Sequence, residues 1–398
     1  MNCRHGICFT IAAIFLLAGS AAAEDHTWIG PVGAPWPIAN NWNPTGVPGA
    51  NDTAIINMPG QVVLVVGAPS NPVPTVGNLD VFNGSTLDFG KLNIDATPEQ
   101  NNGIIKNDGV IRFPNGGILT IRSGPATLHG DGELLMAIPT NPDKTGTAVN
   151  FINGQFAGAQ LINRQKIHGT GVIEVDLVNA APLGFVNANI AGQELVLNRI
   201  GVDNHNNDFG LFASGGGTLA LRNSSVANQG GSIAAEGTGS VIELGSSSEV
   251  VGGSLIAQNG GVIRGNGGTL EDVTITGPME IDAGNLTLTG LVTNDGTTTF
   301  VDTNGSSIFI GSTLAGNNQM NLAGTGVIRM ANRGDHIRAN EHNVTLVHGS
   351  LHTTEGFGRI DSLNDTFAID NRGIIDANVA DEELIVHPGT QVISTNDL

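Results

Sequence analysis

The chain has 398 residues, among them 57 Gly and 42 Asn, with no Tyr and only 13% charged residues. Gly at about twice its usual share interrupts helices, which excludes a coiled coil or a helix bundle. Sixteen basic against 36 acidic residues give a net charge of −20, which excludes a binder of nucleic acid or of an anionic bilayer.

Residues 1–23 read as a secretory signal. Arg4 supplies the positive start, and Ile7 to Ala18 form an apolar stretch of 12, too short to span a bilayer. Ala21-Ala22-Ala23 before Glu24 fits the small-x-small cleavage rule, so cleavage is expected between Ala23 and Glu24. Cys3 and Cys8 both fall in this segment, so the mature chain is expected to hold no disulfide and no Cys-based metal site. Order must then come from continuous backbone pairing. No transmembrane segment is expected in the mature chain, and its location is expected to be extracellular or at the cell surface, with association to an outer membrane one form of that.

Residues 24–57 differ in composition from the rest of the mature chain. Trp28, Trp36 and Trp42 are the only three tryptophans, and Pro31, Pro35, Pro37, Pro44 and Pro48 lie among them. Bulky rings and prolines suit an amino-terminal cap that closes the open end of a repetitive sheet. The alternative is an aromatic platform for sugars.

From residue 58 to 398 no helical period is sustained. What recurs is a short β-branched run between turns. Examples are Val62 to Val66, Ile118 to Ile121, Val172 to Val175, Leu195 to Leu197, Val241 to Leu244, Leu286 to Thr289 and Val344 to Val347. Asn83-Gly84, Asp108-Gly109, Asp131-Gly132, Asn259-Gly260, Asp295-Gly296 and Asn304-Gly305 supply turns. Gly-Val-Ile returns at 109–111, 171–173, 261–263 and 326–328, and residues 188–197 echo residues 377–386. Short self-similar strand–turn units predict an all-β chain wound as a right-handed parallel β-helix. One coil cannot bury its inward Val, Ile and Leu; stacked coils can, at about 4.8 Å per coil. At ~20–25 residues per coil the chain would hold roughly 15–18 coils, with stacked Asn forming amide ladders.

Three segments carry a resemblance: Thr27-Trp28-Ile29-Gly30, then Asn41-Trp42-Asn43, then Gly46 to Ile56. With the unit Asn371-Arg372-Gly373-Ile374-Ile375-Asp376-Ala377-Asn378-Val379, they are similar to bacterial secreted β-solenoids of the autotransporter-passenger and surface-adhesin type. The likeness spans most of the mature chain as style. It implies an extracytoplasmic, non-catalytic, adhesive or structural protein. A complete autotransporter would add a membrane barrel of amphipathic strands after this region. The chain stops at Leu398 without one, so a fragment, a released protein or a partner-held one is expected.

Few groups in the sequence suit catalysis or specific binding. Glycoside hydrolysis needs two carboxylates in a groove. Of the acidic spots Glu271-Asp272 and Asp381-Glu382-Glu383, only Asp381 and Glu383 could share a strand face. A polysaccharide lyase needs a basic proton abstractor. Arg329, Arg333 and Arg338 are the densest basic group, with no evident acidic cluster beside them in sequence. His336, His342, His348 and His352 suggest a zinc or nickel site only if a strand keeps their register; turn residues argue for exposed histidines instead. Arg333-Gly334-Asp335 is an integrin-type tripeptide that composition alone produces easily. No cofactor is expected beyond weak calcium binding at turn carboxylates. The chain is thus expected to be no enzyme but an adhesin-like or structural rod with a surface ligand, carbohydrate or host-matrix protein. A β-helical polysaccharide lyase or glycoside hydrolase is the alternative.

Overall fold

The computed structural model describes residues 22–60, 62–65, 73–97, 103–114, 116–136, 149–205, 210–311, 318–339, 341–363 and 367–394. The expected signal, apart from its last two alanines, lies outside them, and so do Cys3 and Cys8. Among the described residues the chain forms 44 strands and one three-residue 3-10 helix, Ala39–Asn41. Almost every pairing is parallel and joins one coil to the next.

Each coil lays down three short strands, one per face of a prism. Leu211–Ala213, Thr218–Arg222 and Ser225–Ala227 make one such coil. The next begins at Ser232–Glu236. Thr218 then pairs with Val241, Ser225 with Glu249 and Ser232 with Ser254. We call the three stacks face 3 (the Leu211 strand), face 1 (the Thr218 strand) and face 2 (the Ser225 strand). Face 3 is a continuous ladder of 15 strands. Faces 1 and 2 join into one sheet because Val327–Ala339 and Thr353–Ser362 are long enough to serve both. The architecture is a parallel β-helix.

Alternation builds the core. On face 3, Leu87, Ile111, Leu134, Ile167, Val186, Leu211, Ile233, Leu255 and Ile275 stack in register through nine coils. All are 2% exposed or less. Next to two of them in sequence, Asp88 and Arg112 pair by charge across adjacent coils.

The corners explain the glycines. A Cβ on Gly261 would sit 2.3 Å from the carbonyl oxygen of Ala235, and one on Gly326 2.4 Å from that of Gly296. Neither residue has a positive φ. Here Gly is required by the close approach of stacked corners, not by backbone conformation. Three of the four Gly-Val-Ile runs (171, 261 and 326) begin strands of face 1, and the run at 109 opens a strand of face 3. The ten-residue echo behaves differently. Its Leu195–Leu197 lies on face 1 and its Leu384–Val386 on face 2, so the likeness does not mark equivalent coil positions.

Spacing is uneven. On face 3 the strand starts Glu133 and Lys166 are 33 residues apart, whereas Thr274 and Leu291 are 17 apart. That is why no fixed period shows in the sequence.

The expected amide ladder is present. Asn163 Nδ2 donates to Asn179 Oδ1 at 2.9 Å, Asn179 to Asn204 at 3.1 Å, and Asn204 to Asn228 at 2.7 Å. All four side chains are fully buried.

Candidate functional site

At the amino-terminal end, Asp25–Trp28 pairs in parallel with Thr53–Ile56, so it already belongs to the face-2 stack. It also pairs antiparallel with Trp42–Asn43, which sets Trp28 opposite Trp42. Trp28 meets Trp42 edge-on at 5.0 Å, and Trp36 meets Trp42 at 4.5 Å. The Trp42 indole N–H donates to the Trp36 carbonyl at 3.0 Å. All three rings are 0–1% exposed. A sugar platform needs open ring faces, so these tryptophans do not form one.

The second locus lies on the two long strands. Between Ala331 and His336 the register of Val327–Ala339 slips, and residues 332–335 bulge outward. Asp335 organises the bulge: its carboxylate accepts from the backbone N–H of Ala331 and of Asn332, both at 2.8 Å, and from Ser306 at 3.4 Å. The side chain is fully buried. Burial pushes its carboxyl up, against the pull of those N–H groups. The Arg-Gly-Asp tripeptide is therefore unusable by an integrin-type partner, because its aspartate faces inward.

The basic trio does have acidic partners, contrary to the sequence expectation. Arg329 binds Glu355 at 2.6 Å, Arg333 binds Glu382 at 2.6 Å, and Arg338 binds both oxygens of Asp361 at 3.0 Å. Those partners come from later coils, 23 to 49 residues away, so adjacency in sequence could not reveal them. Arg359 also reaches Asp361, at 3.1 Å, and the His336 ring lies 3.3 Å from it. Burial alone would raise the Asp361 carboxyl, but Arg338, His336 and Arg359 outweigh it and hold it below the usual carboxylate range. His336 is pushed down, by burial first and by Arg338 second.

Arg333 and Arg359 line a groove of about 340 Å³ with Gly358, Asp381, Glu383 and Ile385. The structure thus brings together Asp381 and Glu383, the acidic pair singled out in sequence, and one of the three arginines. The hydrogen bond that Arg333 donates to Glu382 raises the Arg333 guanidinium above its ordinary value. That moves Arg333 away from service as a proton abstractor.

The histidines require the larger correction. His342 is exposed as expected, but His348 and His352 are 1% and 0% exposed. The inward parity of His348 follows from Val344-Leu346-His348, at the end of the strand Thr345–His348, whereas His352 is buried on the far side of the turn at 350–351. They form a directed hydrogen-bond chain across the interior. The Gly296 N–H donates to Asn294 Oδ1, which turns the Asn294 amide nitrogen toward His352 Nε2 at 3.1 Å. His352 Nδ1–H then donates to His348 Nε2 at 3.0 Å, and His348 Nδ1–H donates to Asn371 Oδ1 at 2.7 Å. Every ring nitrogen is used with both rings neutral. Burial lowers both rings; His352 is pushed to about 3, by burial first and by His348 second. A metal would have to displace these bonds. Among the described residues no group of three or more His, Cys, Asp or Glu could hold one.

The fold defines the class, a parallel β-helix. No protein-family model and no curated protein matches the chain. Among the described residues no helix is long and apolar enough to cross a membrane.

Proposed function

We propose that the protein is a secreted or surface-displayed β-solenoid that acts as an adhesin-like or structural rod. The observation that carries this reading is the unbroken 15-strand ladder of face 3, filled on its inner side by stacked aliphatic residues. Such a column is stiff along its axis and exposes coil edges only at its ends. The three buried tryptophans fit a plug at the amino-terminal end. The exterior is Asn-, Ser- and Thr-rich, as an extracellular solenoid of the autotransporter-passenger or adhesin type would have it, and the leader ending at Ala23 would deliver it there. The ligand of such a rod is a surface carbohydrate or matrix protein.

A second reading, a polysaccharide lyase or glycoside hydrolase, is favoured by one observation: Asp381, Glu383, Arg333 and Arg359 share a groove. A screen of acidic and neutral polysaccharides, with and without calcium, separates the two. The rod reading expects no product from any of them and adhesion of protein-coated beads to a cell or matrix surface. Product release that a single change at Asp381, Glu383 or Arg359 abolishes would overturn it.

A further inference from the structure

Glu24, the residue after the expected cleavage point, stands at the rim of face 2. Ala22 and Ala23 before it are exposed and belong to no strand, whereas Asp25–Trp28 pairs with Thr53–Ile56 from Asp25 onward. The Glu24 backbone is held on both sides. Its carbonyl accepts from the Thr53 N–H at 2.9 Å, and its N–H donates to Asp52 Oδ1 at 3.0 Å. The second Asp52 oxygen accepts from the Gly49 N–H at 2.8 Å, so the carboxylate is aimed by its own turn. Its side chain is only 20% exposed.

A side chain that receives the first N–H of a strand recurs on face 2. Asn78 does so for Ile104 and Asp176 for Gly201, both at 2.9 Å. There the donor stays an amide. At Glu24 removal of the leader changes the donor itself. Hydrolysis of the Ala23–Glu24 bond takes up one water. Its hydroxyl goes to the Ala23 carbonyl carbon. Its proton, with the one that the new carboxyl group releases, goes to the Glu24 nitrogen, which becomes an ammonium.

His26 supplies the independent observation. Its ring is 5% exposed, and Nδ1 lies 3.1 Å from the Pro44 carbonyl. That carbonyl can only accept, so Nδ1 carries the ring proton. Nε2 then turns a lone pair toward a Glu24 carboxylate oxygen at 3.6 Å and an Asp52 oxygen at 3.7 Å. Three acceptors thus converge, and a cation among them would satisfy all three. A proton on Nε2 would supply one at the cost of charging a buried ring. The new ammonium supplies one without it. Two residues further on, the same strand carries Trp28 into the plug, opposite Trp42. Fastening Glu24 therefore fastens the cap.

We propose that Asp52 is the receptor of the amino group created when the leader is removed at Ala23–Glu24, so that processing completes the amino-terminal cap. The unprocessed chain makes this bond as a neutral amide donor. The processed chain makes it as an ion pair, with each partner charged and the hydrogen bond roughly twice as strong as one between neutral groups. The cap is tightest only once the leader has gone. The proposal rests on the leader reading above and adds what cleavage does to the fold.

The test expresses the full chain with its leader in a secreting bacterial host and sequences the amino terminus of the exported protein, which should begin at Glu24. Three forms are then compared by hydrogen–deuterium exchange. One is the Glu24 form. The second is its Nα-acetylated counterpart, which keeps the N–H but not the charge. The third retains Ala22-Ala23, which moves the charge about 7 Å along the chain. Amides of residues 25–28 and 53–56 should exchange about two- to fivefold more slowly in the Glu24 form than in either of the others. The titratable groups around the α-amino group are Glu24, Asp25 and His26 on its own segment and Asp52 opposite. Titrated by NMR, it should lie above its ordinary range of about 7.7–8.0, and Asp52→Asn should return it to that range. Should Asp52→Asn fail to fold, the acetylated form carries the comparison. An exported protein that keeps its leader would sink the leader reading and this proposal together. A protein that begins at another residue, exchanges no more slowly than its acetylated form, or has an amino group in the ordinary range would sink the proposal alone.

Discussion

His348 and His352 show how much one interior contact can fix. Their chain with Asn294 and Asn371 is complete only while both rings are neutral. A proton on either ring sets N–H against N–H or against the Asn294 amide. Both rings are lowered in the folded protein, so the folded state binds fewer protons than the unfolded one below about pH 6.5. Stability is then intact above that pH and falls as pH drops toward 3. For His352 alone the loss between pH 6.5 and 4.5 is about 2–3 kcal/mol, at 1.36 kcal/mol per unit. His336 is lowered too and acts in the same sense. Asp361 is held below its usual range, so its contribution is lost only in stronger acid. A variant therefore isolates the pair better than the wild-type curve does. His352→Gln should flatten the pH dependence of hydrogen exchange in residues 344–371 by about that amount. Parallel curves for variant and wild type between pH 7 and 4.5 would refute the neutral-pair account.

At the scale of strands and turns, the amide ladder is the feature most exposed to a single change. Asn204 accepts from Asn179 and donates to both Asn228 and the Ser232 carbonyl. Asn204→Ala would leave buried groups unpaired on three sides, at a cost of about 2–4 kcal/mol. Urea unfolding should register that loss, and a change under 1 kcal/mol would mean that water replaces the amide. Ser or Ala exchanges at an outward position of the same strands should lie within about 0.5 kcal/mol of wild type. The strands themselves were legible, because alternation and turn residues are local signals. Ile118–Ile121 and Val241–Leu244 have the boundaries that the sequence suggests. Two things were not legible. Val327–Ala339 runs through a bulge that reads as a break in sequence, since Asn332-Arg333-Gly334-Asp335 looks like an ordinary turn until the buried Asp335 closes it. The groove lined by Arg333, Arg359, Asp381 and Glu383 is built from three successive coils, so its members stand far apart in sequence. Inward parity of Val344, Leu346 and His348 was available and would have placed His348 in the core.

For the whole molecule, the consequence of stacking is that strands pair only with strands of the coils beside them, while side-chain bonds such as Asn294–His352 and Arg333–Glu382 reach past one coil. Stability then behaves as a sum of coil and interface contributions, and a lesion acts as a boundary instead of unfolding everything at once. Gly261 offers a lesion of known cause. A methyl there would lie 2.3 Å from the Ala235 carbonyl oxygen and 2.5 Å from its carbon, so two backbones must separate. Gly192 is the control: a methyl there meets nothing within 4 Å, but φ is +67°. Gly192→Ala should therefore cost only the conformational strain, about 1 kcal/mol. Gly261→Ala should cost more, and locally. Hydrogen–deuterium exchange should rise in residues 232–281, the coils on either side of the lesion, while the stack from Leu87 to Val186 keeps its protection. Uniform loss of protection from Leu87 to Ile369 would instead show that the rod unfolds as one unit, with coupling that travels past the neighbouring coil.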